Sequence, residues 1–111
     1  MIIQGTNNPL IFTFSEPMTT VADIEISLYT EDKTAGTTTE WKHWTLEDVE
    51  INETEVIANI KQEESILFPE GKCFIEVKWM NALGRTEFAK ILSTNIVKRN
   101  DKTIMEGAAI D

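Results

Sequence analysis

Cysteine and histidine are almost absent: Cys73 and His43 are single examples of their kinds in 111 residues. That rules out an internal disulfide and leaves too few sulfur and imidazole ligands to close a structural zinc site. A lone cysteine suits a chain that folds in a reducing compartment. No apolar run approaches the roughly 18 residues a membrane span needs. The opening Met1-Ile2-Ile3-Gln4-Gly5 also lacks the basic residues that begin a secretory leader. The expectation is a protein that is cytoplasmic when made and has no membrane partner. Lysine and arginine are scarce in the first half, where residues 1–60 hold 11 acids against Lys33 and Lys42. The whole net charge of −9 lies there, because acids and bases balance over residues 61–111. A run with Glu47, Asp48, Glu50, Glu53 and Glu55 repels phosphates, so nucleic acid is not an expected partner. A phosphate-cradling glycine loop, a Walker lysine and a Gly-x-Ser-x-Gly elbow are all missing. Neither an enzyme nor a cofactor is expected.

What the chain does have is alternation with a period of two. Leu10, Phe12 and Phe14 fall on one face of a strand, and Ile24, Ile26 and Leu28 on one face of another. Further strands are expected at 40–45, 48–52, 55–61, 72–80 and 86–98, the last bent or bulged because it is long for one strand. Turn-formers separate them, as in Gly5-Thr6-Asn7-Asn8-Pro9, Ser15-Glu16-Pro17, Pro69-Glu70-Gly71 and Asn81-Ala82-Leu83-Gly84. Seven short strands without a ten-residue amphipathic helix predict an all-β chain, a two-layer antiparallel β-sandwich, with a small barrel as the alternative. Gln62-Glu63-Glu64-Ser65-Ile66-Leu67-Phe68 breaks the alternation and is stopped by Pro69, which predicts one short helical turn near 62–67. It should carry the chain between sheets while Ile66, Leu67 or Phe68 plugs the core. Residues 1–100 read as one domain and 101–111 as a C-terminal tail; Thr37-Thr38-Thr39 reads as a polar loop.

Candidate chemistry is thin. Cys73 is in phase with Ile75, Val77 and Trp79, which predicts a buried, inert thiol and a core tryptophan. His43 reads as an exposed strand residue. Neighbouring acids such as Glu47-Asp48 point to opposite faces of a strand, so they read as a solvated acidic edge rather than a hydrolytic pair. Trp41 and Trp44 differ in parity. A regular strand would bury one and expose the other, and an exposed indole marks a contact surface for a ligand or a partner. Ile104, Met105 and Ile110 in the tail could anchor in a partner's groove.

Two stretches carry a resemblance: Ile2-Ile3-Gln4-Gly5-Thr6 leading to Pro9-Leu10-Ile11-Phe12-Thr13-Phe14, and Lys61-Gln62-Glu63-Glu64-Ser65 before Phe68-Pro69-Glu70-Gly71. With Phe74-Ile75-Glu76-Val77-Lys78-Trp79 and Ile104-Met105-Glu106-Gly107, the layout resembles short virion-associated proteins encoded among the structural genes of prophages in gut Firmicutes. This chain departs in having Lys61 and Ser65 where that segment more often has threonine, and in its long 32–40 loop. The resemblance implies an immunoglobulin-like fold and a virion or virion-assembly role, with no catalytic residues to carry over.

The reading is a phage-derived structural or assembly protein of a tail, baseplate or neck. Its partners would be other virion proteins or further copies of itself, met through sheet edges and the tail. Two rivals stay open. One is a carbohydrate-binding module that stacks a glycan on Trp41 or Trp44, and the other is an acidic inhibitor that imitates DNA.

Overall fold

The computed structural model describes residues 1–88 and 92–98. In chain order the elements are β1 (Ile2–Ile3), β2 (Asn8–Thr13), β3 (Asp23–Asp32), β4 (Thr37–Thr45), β5 (Glu50–Asn52), β6 (Glu55–Ile60), α1 (Gln62–Ser65), β7 (Gly71–Met80), β8 (Thr86–Phe88) and β9 (Leu92–Val97). The larger sheet runs β1-β9-β7-β3-β4 with β8 also on β7, and the smaller runs β2-β6-β5. Pairing is antiparallel except between β1 and β9. No strand pair joins the two sheets among the described residues, so the fold is a sandwich and not a barrel. A hairpin in one sheet followed by a hairpin in the other, with β1 closing in parallel on β9, is the strand order of an immunoglobulin-like sandwich.

The alternating residues meet between the layers. Ile24, Ile26 and Leu28 of β3 and Cys73, Ile75 and Val77 of β7 face Phe12, Val56, Ala58 and Ile60 of the smaller sheet, all buried. Fully burying each large aliphatic side chain contributes roughly 1.5–3 kcal/mol, which fixes the register because a one-residue slip would turn each set outward. Trp79 shares this face but sits half-buried at its margin. Its ring meets Phe14 edge-on at 4.9 Å, and its indole N–H is buried with no hydrogen-bond partner among the described residues.

The expected helical turn is α1, and it does carry the chain from the smaller sheet to the larger. Phe68 is the plug, 3% exposed, whereas Leu67 points to solvent. The Glu64 carboxylate accepts the Lys61 backbone N–H at 2.9 Å and also binds the Lys42 ammonium. Three hydrogen bonds tie this segment to the N-terminal turn: Ser65 Oγ donates to the Thr6 carbonyl at 2.8 Å, the Gln62 N–H to Asn7 Oδ1 at 2.9 Å, and Gln4 Nε2 to the Phe68 carbonyl at 2.6 Å.

The strand boundaries differ from expectation in three places. Residues Thr37–Thr39 are strand rather than loop, pairing with Thr30–Asp32, and the turn is Lys33–Gly36. Asp32 Oδ1 accepts the N–H groups of Thr34 and Ala35 there, and Gly36 takes a positive φ of 70°. β5 begins at Glu50, since Asp48 is spent on a turn in which it accepts the Thr45 N–H and hydroxyl. β1 is too short to show a period. Within the 86–98 stretch, Lys78 pairs with Phe88 of β8 and Ile75 with Leu92 of β9, and residues 89–91 lie outside the described residues.

Candidate functional site

Among the described residues, β1, β2, β4 and β5, which end the two sheet paths, are poorly suited to accepting a strand. β1 has two residues and β5 three. β4 carries Glu40, Lys42 and His43 and is broken by a bulge, and β2 carries Pro9, which cannot donate to a ladder. At these four strands, sheet-edge contacts would meet backbones shaped to resist pairing. The open surface is instead the outer face of the larger sheet.

That face is assembled from the residues out of phase with the core: Glu25, Ser27, Tyr29 and Glu31 on β3, Thr38, Glu40 and His43 on β4, and Lys72, Phe74, Glu76 and Lys78 on β7. The β3–β7 register sets Tyr29 opposite Phe74, and their half-buried rings stack with centroids 5.6 Å apart and planes 26° from parallel. Lys72 Nζ lies 5.5 Å from the Phe74 ring centre. Two rows along the face, Glu25 binds Lys78 at 3.0 Å and lies 3.7 Å from His43 Nε2. The Lys78 ammonium holds the Glu25 carboxyl below its ordinary range, and Glu25 raises Lys78 in turn. Ser27 Oγ donates to Glu40 at 2.5 Å, and Glu40 is 3.4 Å from His43 Nδ1. A shallow groove of about 290 Å³ runs between Ser27, Tyr29, Glu31, Thr38, Glu40 and Glu76. Burial, then the charges of Glu76 and Glu31, push the Tyr29 phenol up, so it stays a neutral donor at neutral pH.

Ser27, His43 and Glu40 meet here, but the serine donates to the carboxylate and not to the imidazole, on an open sheet face. A nucleophile needs the reverse wiring and shelter from water. No group of three or more His, Cys, Asp or Glu residues among the described ones is arranged to hold a metal, and no described helix is long and apolar enough to cross a membrane. The arrangement suits binding.

Comparison with known proteins returned no match. No family model, no curated protein and no solved structure matches the chain.

One of the two tryptophans is buried and the other exposed, as their parity predicts. The strand is not regular between them, since Leu28 pairs with Lys42 but Tyr29 with Glu40, which makes Trp41 the bulged residue. Trp44 is 1% exposed, its indole N–H donating to the Asn59 carbonyl at 3.0 Å, so it has no free ring face for a ligand or partner. Trp41 is 37% exposed, with its N–H bonded to Thr30 Oγ1 at 2.9 Å and its ring 6.3 Å from that of Phe68. Both indole N–H donors are committed within the fold, while the Trp41 ring keeps exposed surface. Ile104, Met105 and Ile110 lie outside the described residues. Cys73 is fully buried, and burial raises its thiol pKa. Tyr29 and Phe74 carried a signal in the sequence: each is an aromatic residue at an outward position of a strand whose inward set is complete without it.

Proposed function

We propose that the chain is a non-catalytic structural or assembly protein of a phage particle, a tail, baseplate or neck component, acting through protein–protein contacts. The stacked Tyr29–Phe74 pair, half-exposed at the middle of the larger sheet's outer face, is the observation that carries the contact function, because aromatic rings on an open surface are the usual anchors of protein interfaces. The phage setting rests on the resemblance. Its support is that the two resembling stretches are neighbours in space, where the Ser65 hydroxyl, which a threonine could supply equally, holds the Thr6 carbonyl.

The test is mass spectrometry of particles purified after prophage induction in the strain that carries the gene. The expected result is this chain at a fixed ratio to the major structural proteins. Recovery of the chain in the soluble lysate with none in the particles would overturn the assignment.

A further inference from the structure

We propose that the outer face of the larger sheet docks an arginine-bearing segment of a partner protein, in the groove beside the Tyr29–Phe74 rings. The proposal rests on the contact function above and adds where the contact is made and what chemistry it takes.

Charge selects the partner. Glu31, Glu40 and Glu76 reach the groove from three different strands. The two lysines on the face are occupied: Lys78 by Glu25, and Lys72 above the Phe74 ring. Among the described residues no lysine or arginine lies within ion-pair distance of Glu31, Glu40 or Glu76. A second copy would bring the same uncompensated carboxylates against these, and like charges face to face oppose association. A cationic segment removes that excess. Arginine fits better than lysine, because its planar guanidinium can lie along the exposed ring surface while its N–H groups reach carboxylates on either side. The blunted edges leave the partner little access to backbone pairing, so binding would be carried by side chains.

The experiment titrates the full chain, labelled with nitrogen-15, with an acetylated Arg-Gly-Arg-Gly-Arg peptide at low ionic strength, and repeats it with the lysine analogue. The expected result is saturable shifts centred on Ser27, Tyr29, Phe74 and Glu76, with the arginine peptide binding more tightly. The Glu31→Gln/Glu40→Gln/Glu76→Gln variant should weaken binding by about tenfold or more. A control of equal charge, Glu47→Gln/Glu50→Gln/Glu63→Gln at exposed positions elsewhere, should change it less than about twofold. Equal weakening in both variants, shifts mapping to another surface, no saturation, or a dimer formed through this face would each overturn the proposal. Thermal melts confirm that both variants fold. The particle measurement fails or succeeds separately: a chain present in particles whose face ignores the peptide uses another surface, and a chain absent from particles that binds it has the face without the phage role.

Discussion

The indole N–H of Trp44 on the edge strand of one sheet donates to the main-chain carbonyl of Asn59 in the middle of the other. β5 ends its pairing at Ile57 of β6, so nothing in that strand reaches Asn59, and the tryptophan supplies the missing donor. Pro9 faces Asn59 from the other side of β6 and has no N–H to offer. Trp44→Phe keeps most of the ring but strands this carbonyl, which should cost about 1–3 kcal/mol. Trp44→Ala adds a cavity and should cost about 3–5 kcal/mol. Urea midpoints of the two variants check the order; a Trp44→Phe variant as stable as the parent would mean the carbonyl finds water.

Stability should fall in acid through Glu64. Burial raises its pKa, but the Lys42 ammonium and the Lys61 N–H outweigh that and hold the carboxyl below its ordinary value. A carboxyl depressed in the fold contributes stability above its unfolded pKa of about 4.3 and loses it as the pH falls through the folded value. Glu64→Gln keeps an oxygen for Lys61 but not the charge. It should be less stable than the parent by about 0.5–1 kcal/mol near neutral pH and indistinguishable from it in strong acid. Melts across that range read the difference, and a gap that persists in acid would assign it to packing.

Cys73 should resist thiol reagents as long as the sheet is closed, because burial both shields the sulfur and disfavours the thiolate. Labelling by a disulfide reagent should be more than about a thousandfold slower in the native protein than in the unfolded chain. Labelling that outpaces global unfolding would reveal local opening between β7 and β9.

Alternation made β2, β3 and β7 legible in the sequence, because a half-buried strand writes its inner face at every second position. β1 was illegible for want of length, and Thr37–Thr39 because all three residues are exposed and polar, leaving only the β-propensity of threonine to mark them. The bulge at Trp41 was illegible for a different reason: it adds one residue, and its site depends on the partner strand. Tyr29 and Phe74 could each be read as outward aromatics, but not as a pair. Their meeting depends on a register between strands some 45 positions apart, which no local pattern encodes.

The parallel pair of β1 and β9 sets Ile2 beside Ile96, far apart in sequence, and both are buried. A growing polypeptide therefore carries β1 unpartnered until β9 has been made. The smaller sheet and the β3–β4 hairpin can form early, whereas the larger sheet is completed only when β9 brings β1 into it. Translation speed has little to tune in such a protein, and premature termination before β9 yields a product with an open apolar seam, a natural substrate for chaperones and proteases.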